Sequence, residues 1–407
     1  VKSVEAHLAD CLAGIDALSA IDLQLLDAHG CILAEDVVAQ APLPGFDNSA
    51  MDGYAVRAAD VASASESAPV SLPVLGDIPA GRPARVGVQA GSTLRIMTGA
   101  PMPSGADAVV PVEWTDGGVA TVQVVRPTTV GAYVRRAGSD IAAGDVVLGA
   151  GTRLGPAQLG VLAAAGRDRV VVRPKPRVVV LATGSELVEP GLPLEPGQIS
   201  ESNSYALTAA AKEAGALAYR VGIVDDDPRR LLDAIEDQLI RADLVVTTGG
   251  VSAGAYDVVK EVLSRLGTVS FEKVAMQPGM PQGYGVVGPD ATPIFTLPGN
   301  PVSAYVSFEV FVRPVIRRML GVEPLLRPTV RAVATEAFGS PAGKRQFARG
   351  WLAVEDGRYV VRPIGGQGSH LVHDLAHANC LIVVPEQTTE VPVGGTVTVM
   401  VLERRLS

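Results

Sequence analysis

Three stretches of this chain gather glycines, hydroxyls and carboxylates within a single loop: LATGSELVEPG around Glu186, TTGGVSAGAYD ending in Asp257, and LPGNPVS ending in Ser303. Each follows an apolar or β-branched run and precedes a helical pattern. Glycine lets a ligand approach the main chain, and the free N–H groups at a helix start favour anions. The middle loop carries Gly249, Gly250 and Ser252 where a two-residue turn would suffice. None of the three reads G-x-G-x-x-G or as a Walker loop, so neither a nicotinamide nor a P-loop site is indicated. The carboxylates Asp52 in SAMDGY, Asp140 in RRAGSDI, Glu186, Asp226 in VDDDP and Asp257 point to a divalent cation held through oxygen, Mg2+ above all. Asp226 or Asp227 is equally suited to cap the helix that begins near Pro228.

Other chemistries have less support. His370, His373 and His377 crowd into GSHLVHDLAHANC, with the last two at i, i+4, but no H-E-x-x-H occurs and the flanks read as β strands. Surface or packing histidines are the expectation. No G-x-S-x-G elbow exists, and Cys380 sits in the apolar run NCLIVV, where a buried inert thiol is expected. The residues alone thus lead to an anionic, phosphate-type ligand with metal help, which composition and spacing cannot name.

For the three loops to meet, they must leave one edge of a parallel sheet. From VVVLAT at 178–183 the chain alternates strand and helix through residue 266, the pattern of a doubly wound α/β sheet with ligands beyond the carboxyl ends of its strands. RPKPR at 173–177 is a stiff boundary before it. The expected organisation is an N-terminal frame (1–45 and 146–173), an inserted small β domain (46–145), the α/β domain (174–325) and a C-terminal β-barrel-like domain (326–407). The frame starts with an amphipathic helix presenting Val4, Leu8, Leu12 and Ile15, and resumes in the helix of GPAQLGVLAAAG.

Composition fits a multidomain globular protein: 407 residues, 47% hydrophobic, with Gly 44 and Pro 30 favouring short strands and turns. The net charge of −9 argues against a nucleic-acid partner. Cys11, Cys31 and Cys380 lack C-x-x-C spacing, no membrane-length apolar run occurs, and a reducing cytoplasm is the expected compartment.

In order along the chain, PGFDNSAMDGYAV, RIMTGAPMPSGADAVV, RRAGSDI, ATGSEL, TTGGVSAGAYD, LPGNPVSA and GSH resemble the molybdopterin molybdenumtransferase family, the MoeA type, related to the C-terminal domain of gephyrin. The resemblance spans nearly the whole chain. It implies an elongated homodimer that combines adenylylated molybdopterin with molybdate, releasing AMP with Mg2+, and that meets the adenylyltransferase of the same pathway. It implies functional roles for Asp52, Thr98, Arg135 and Asp140. Glu186, Asp226 and Asp257 would bind the metal and position the adenylate. Gly249, Gly250, Ser252, Pro298, Gly299 and Asn300 would line the phosphate-binding edge, with Lys273 nearby. Ser303, Arg349 in FARG and Ser369 in QGSH would hold molybdate, a tetrahedral dianion suited to a guanidinium and hydroxyls. One departure stands out: where many relatives read K-P-G-K-P this chain reads QPGMP, with Gln277 and Met280 for two lysines. Lys344 or Arg345 could compensate. A non-catalytic dimeric scaffold, or a paralogue acting on tungstate, is the alternative reading.

Overall fold

The structure, a computed structural model, describes residues 1–225, 227–249 and 256–402, and their side chains except those of 256–258 and 260. It forms two compact units, one of Val1–Ile21, Gly30–Ile32 and Val171–Ser407, the other of Asp22–His29 and Leu33–Val170. Among the described residues no helix is long and apolar enough to cross a membrane.

The first unit is built on a six-stranded sheet. Its elements are β1 (Arg177–Thr183), α1 (Asn203–Ala214), β2 (Leu217–Val224), α2 (Pro228–Leu239), β3 (Leu244–Thr248), α3 (Tyr256–Leu266), β4 (Gly267–Lys273), β5 (Pro281–Val287), β6 (Thr292–Leu297) and α4 (Pro301–Ser307). Strand order is β2-β1-β3-β6-β5-β4. The first four are parallel, as expected, and β5 and β4 add an antiparallel edge. That hairpin escapes a periodicity reading because GTVSFEK and PQGYGVV are weakly apolar. Gly285 is required there by packing, since a Cβ on it would lie 2.0 Å from the Thr268 carbonyl oxygen.

β1 is buried on both faces, which explains its unbroken apolar sequence. Val178 and Val180 join a core with Leu207, Phe295 and Leu297, and Val179 and Leu181 join another with Leu231, Ile235 and Leu263. Asp227 caps α2: its carboxylate accepts hydrogen bonds from the Arg229 and Arg230 N–H groups at 3.0 Å each. Those bonds and the nearby arginines hold it below the usual carboxylate range. Asp226 lies outside the described residues.

After α4 the helix continues through a π segment, Phe308–Val312, into α5 (Arg313–Leu320). Strands β7 (Thr329–Ala334), β8 (Arg345–Glu355), β9 (Arg358–Pro363), β10 (Cys380–Val384) and β11 (Thr396–Val401) then close into a barrel, in the cyclic order β8-β9-β7-β11-β10. Small and β-branched residues such as Ala332, Ala334, Val361 and Val399 fill its interior, and closure leaves no unpaired edge. Arg327, at the barrel entrance, donates to the fully buried Glu309 at 2.8 and 3.0 Å, to Glu213 at 2.7 Å and to the Leu402 carbonyl at 2.7 Å.

The N-terminal helix, Val4–Leu12, belongs to this unit, starts on a Ser3 cap and buries Val4, His7 and Cys11. The expected stripe faces the core, with Val4 and Ile15 buried and Leu8 and Leu12 packed against it, and His7 and Cys11 widen the buried face; Ile15 lies beyond the helix end. His7 meets the Phe311 ring edge-on at 4.7 Å and its Nε2 has no hydrogen-bond partner. Burial pushes its imidazole down to about 4.

The second unit holds a five-stranded sheet in the order Ala108–Pro111, Gly53–Val56, Thr93–Ile96, Val70–Ile78, Thr121–Val124. Alternate residues of Gly53–Val56 face two cores: Tyr54 and Val56 pack with Val110 and Val122, and Ala55 packs with Ile78 and Leu94. The expected helix of GPAQLGVLAAAG is present as Pro156–Ala164.

Candidate active site

Because β1, β3 and β6 are adjacent and parallel, the loops after Thr183, Thr248 and Leu297 leave the sheet at one edge. They pack backbone against backbone. Gly249 has φ +97°, and a Cβ on it would sit 2.1 Å from the Thr183 carbonyl oxygen, so no other residue fits. A Cβ on Gly299 would lie 3.5 Å from the Gly249 Cα. Asn203, at the start of α1, ties two loops together by donating to Thr248 Oγ1 at 3.0 Å and to the Gly299 carbonyl at 2.6 Å. The loops border a crevice of about 590 Å³ lined by Glu186, Asn203, Gly249, Pro298, Gly299 and Asn300 among others. Glu201 also lines it, but its carboxylate is engaged by the Ser204 N–H at 2.7 Å, the Ser204 hydroxyl at 2.5 Å and Arg220 at 3.5 Å. Glu186 is the exposed carboxylate of the crevice. Gly250 and Ser252 lie outside the described residues, as does the side chain of Asp257.

A smaller cavity of about 190 Å³ adjoins α4 and the barrel, lined by Gln277, Met280, Ser303, Lys344, Gln367 and Ser369 among others. Its 277–281 wall is fixed from below: Gln282 Nε2 donates to the Gly279 carbonyl and to Ser307 Oγ, both at 2.6 Å. Ser303 and Ser369, expected together, do line one cavity, and the Val302 N–H donates to the Ser369 carbonyl at 3.0 Å. Arg349 lines a neighbouring cavity of about 250 Å³ together with Gln277 and Gln367. Its guanidinium is buried, donating to the Gly366 carbonyl and, at 3.2 Å, to that of Gly368, so it shapes the loop that carries Gln367 and Ser369. Burial lowers its pKa. Lys273 is exposed at the end of β4 and lines neither cavity.

The crevice and the cavity share a wall. Three segments give neighbouring residues to the two sides: Pro281 and Met280, Pro301 and Ser303, His370 and Ser369, the first of each pair facing the crevice. His370 is exposed, as expected of a surface histidine, and lines the crevice. Its signal was its place directly after Ser369 in QGSH. Asn203 gave no motif at all, and Gln367 stood in QGSH without being singled out.

The remaining expected site residues belong to the second unit. Asp52 Oδ1 accepts hydrogen bonds from the Thr98 N–H at 2.7 Å and from the Thr98 hydroxyl at 2.9 Å, which hold its carboxyl below the ordinary range. Arg135 and Asp140 are exposed on the RRAGSDI segment, where Arg135 pairs with Asn48 across two short strands.

Among the described residues no three His, Cys, Asp or Glu side chains cluster as a metal site. His373 and His377 stack at 4.6 Å around a short helix, Val372–Ala376. Cys380 is fully buried in β10, and burial raises its thiol to about 12, an inert group.

Fold and site together define a MoeA-type protein. Residues 2–166 match the MoeA N-terminal region (domain I and II), 179–318 a probable molybdopterin binding domain, and 331–402 the MoeA C-terminal region (domain IV). Molybdopterin molybdenumtransferase 2 of Mycobacterium tuberculosis is 48% identical over 97% of this chain and 98% of its own length. Molybdopterin molybdenumtransferase 1 of that organism is 44% identical over 99% of both chains. A crystal structure of the molybdopterin biosynthesis MoeA protein of Pyrococcus horikoshii superposes with a TM-score of 0.80 at 32% identity, covering 100% of both chains. The chain belongs to the molybdopterin molybdenumtransferase family, a family of transferases.

Proposed function

We propose that this protein inserts molybdenum from molybdate into adenylylated molybdopterin with release of AMP, the last step of molybdenum cofactor synthesis. The observation that carries this reading is the shared wall: a large crevice of backbone, amide, hydroxyl and carboxylate groups stands against a small cavity with, among the described residues, two serines, an ammonium and no carboxylate. The crevice suits the pterin phosphates and adenylate, and the small cavity suits a tetrahedral oxyanion. No side-chain nucleophile is needed, because the protein's part is to hold two anionic reactants in register and offset their charge. Asn300 and the Gly299 N–H would orient the phosphates from loops that Asn203 ties together, while Ser303 and Ser369 would donate to the oxyanion.

Glu186 suits Mg2+, which takes one or two carboxylates and completes its shell with phosphate oxygens and water. With Asp226 and Asp257 it would hold the ion, which when bound offsets charge on the phosphoryl oxygens. In the second unit, Asp52, fixed by Thr98, with Arg135 and Asp140, would contribute to substrate handling. A homodimer in the cytoplasm, receiving its substrate from the adenylyltransferase of the same pathway, completes the reading. Light scattering would then give about twice the 42.0 kDa chain mass.

The test is AMP release from adenylylated molybdopterin by the purified protein with Mg2+, with molybdate, with tungstate and with neither. Molybdate-dependent release that falls in Glu186→Ala is expected. Release indifferent to the oxyanion, or none, would refute the reading.

A further inference from the structure

Residues 184–201 leave the sheet after β1 and return at the start of α1, and both ends of this segment line the crevice: Glu186 and Leu187 on the way out, Ile199, Ser200 and Glu201 on the way back. Two short parallel strands, Leu187–Val188 and Ile199–Ser200, pair the ends. Apolar packing does little to hold the segment, because Leu192, Leu194 and Ile199 are 59%, 49% and 55% exposed. Arg220, on β2, grips it instead. Its Nη2 donates to Glu189 at 2.5 Å, and its Nε donates to the Ser204 hydroxyl, in the first turn of α1, at 2.6 Å. The guanidinium lies over the Tyr205 ring, 4.2 Å from the centroid, and the Tyr205 hydroxyl donates to Glu189 at 3.2 Å. Buried Glu201 stands farther away, at 3.5 Å, and has the Ser204 N–H and hydroxyl as donors of its own. The closer ion pair of Arg220 therefore goes to the outer part of the segment. Among the described residues no other cation pairs with Glu189 or Glu201.

We propose that Arg220 is a positioning residue: through Glu189 it holds residues 184–201, and with them the Glu186 carboxylate, against the crevice. Arg220 does not itself line the crevice, so it acts through the residues it grips. A guanidinium suits this task, because its planar fork serves Glu189 and Ser204 at once while its face rests on Tyr205. The same contacts brace the first turn of α1, which carries Asn203. The inference rests on the proposed transferase reading for the role of Glu186 toward Mg2+.

Two variants of the full chain test this. Glu189→Ala cuts the grip on the segment without touching Glu201 or α1, and Arg220→Lys keeps the charge but loses the fork. The first measurement is cleavage after Glu186 by a glutamate-specific protease without Mg2+, read by mass spectrometry; Glu189 and Glu195 each precede a proline, which leaves the Glu186–Leu187 bond as the reporter. Both variants should be cut about tenfold faster than wild type, because cleavage follows the population of the open segment, and Glu189→Ala should keep the wild-type Tm. The second is calorimetric titration of Mg2+ in the presence of AMP, where the affinity should fall about tenfold in both variants. AMP release on the same preparations should need more Mg2+ in Glu189→Ala but reach a near wild-type rate at saturation, a recovery that a general structural defect would not show. Unchanged cleavage or unchanged Mg2+ affinity in Glu189→Ala, or no Mg2+ binding by wild type, would overturn the proposal. Faster cleavage and weaker Mg2+ binding in the variants, with no molybdate-dependent AMP release by wild type, would leave Arg220 standing and sink the transferase reading. Molybdate-dependent release by wild type with cleavage and Mg2+ affinity equal in all three proteins would do the reverse.

Discussion

Between pH 7 and pH 5 acid should weaken the first unit through His7. Its imidazole is 2% exposed, its Nε2 is unpartnered and its ring packs on Phe311. Burial is the main reason that its pKa falls to about 4; Lys2 pushes the same way, while Glu272 and Asp10 oppose. In the unfolded chain the group titrates near 6.5. Between those values the unfolded chain holds a proton that the native chain does not, so stability rises with pH across the window. The contribution is complete above pH 6.5 and is lost as pH falls toward 4. At about 1.4 kcal/mol per pH unit, that gap amounts to roughly 3 kcal/mol by pH 4 and roughly 2 kcal/mol between pH 7 and pH 5. Urea unfolding followed by circular dichroism at pH 7, 6 and 5 measures it, with His7→Leu as the comparison. The variant should lose roughly 2 kcal/mol less than wild type over that span. Equal losses in the two proteins would refute the reasoning.

Three further substitutions probe the site and its support. Gly249→Ala would drive a methyl group into the Thr183 carbonyl, at a cost of about 1–3 kcal/mol in local strain; AMP release should drop at least about tenfold with the circular dichroism spectrum retained. Arg349→Lys keeps the charge but loses the fork that grips Gly366 and Gly368, so the molybdate KM should rise about tenfold with little change in kcat. Arg327→Met leaves the buried Glu309 with Arg313, at 3.8 Å, and should cost up to about 3–5 kcal/mol in chemical denaturation. Adding Glu309→Leu together with Arg313→Met should recover most of that, and a triple variant as unstable as the single one would show that the charge is not the cause.

What the sequence made legible was the chain's local physics. Apolar runs ending in glycine located β1, β3 and β6, and their common direction placed three loops at one edge. Alternating short strands after residue 326 likewise announced a β domain whose strands prove to close into a barrel. The antiparallel β4–β5 edge stayed hidden because its glycines answer to a neighbouring backbone, not to a hydrophobic period. Site residues divided in the same way. Ser303 and Ser369 stood in motifs and meet at one cavity, and Asp52 and Thr98 prove to be hydrogen-bonded. Asn203, Gln367 and the facing of His370 depend on contacts between segments far apart in the chain. Arg349 is divided: two of its donors go to the Gly366 and Gly368 carbonyls, while its buried Nε has no partner among the described residues and it lines a cavity with Gln277 and Gln367.

The wall between crevice and cavity consists of residues adjacent, or nearly so, in the chain, and consecutive Cα atoms lie only about 3.8 Å apart. A compound that joins a tetrahedral anion to an adenylate by a few atoms could therefore occupy both chambers at once. Its second half would bind at the high effective concentration set by so short a tether, and its affinity could exceed that of either fragment by orders of magnitude.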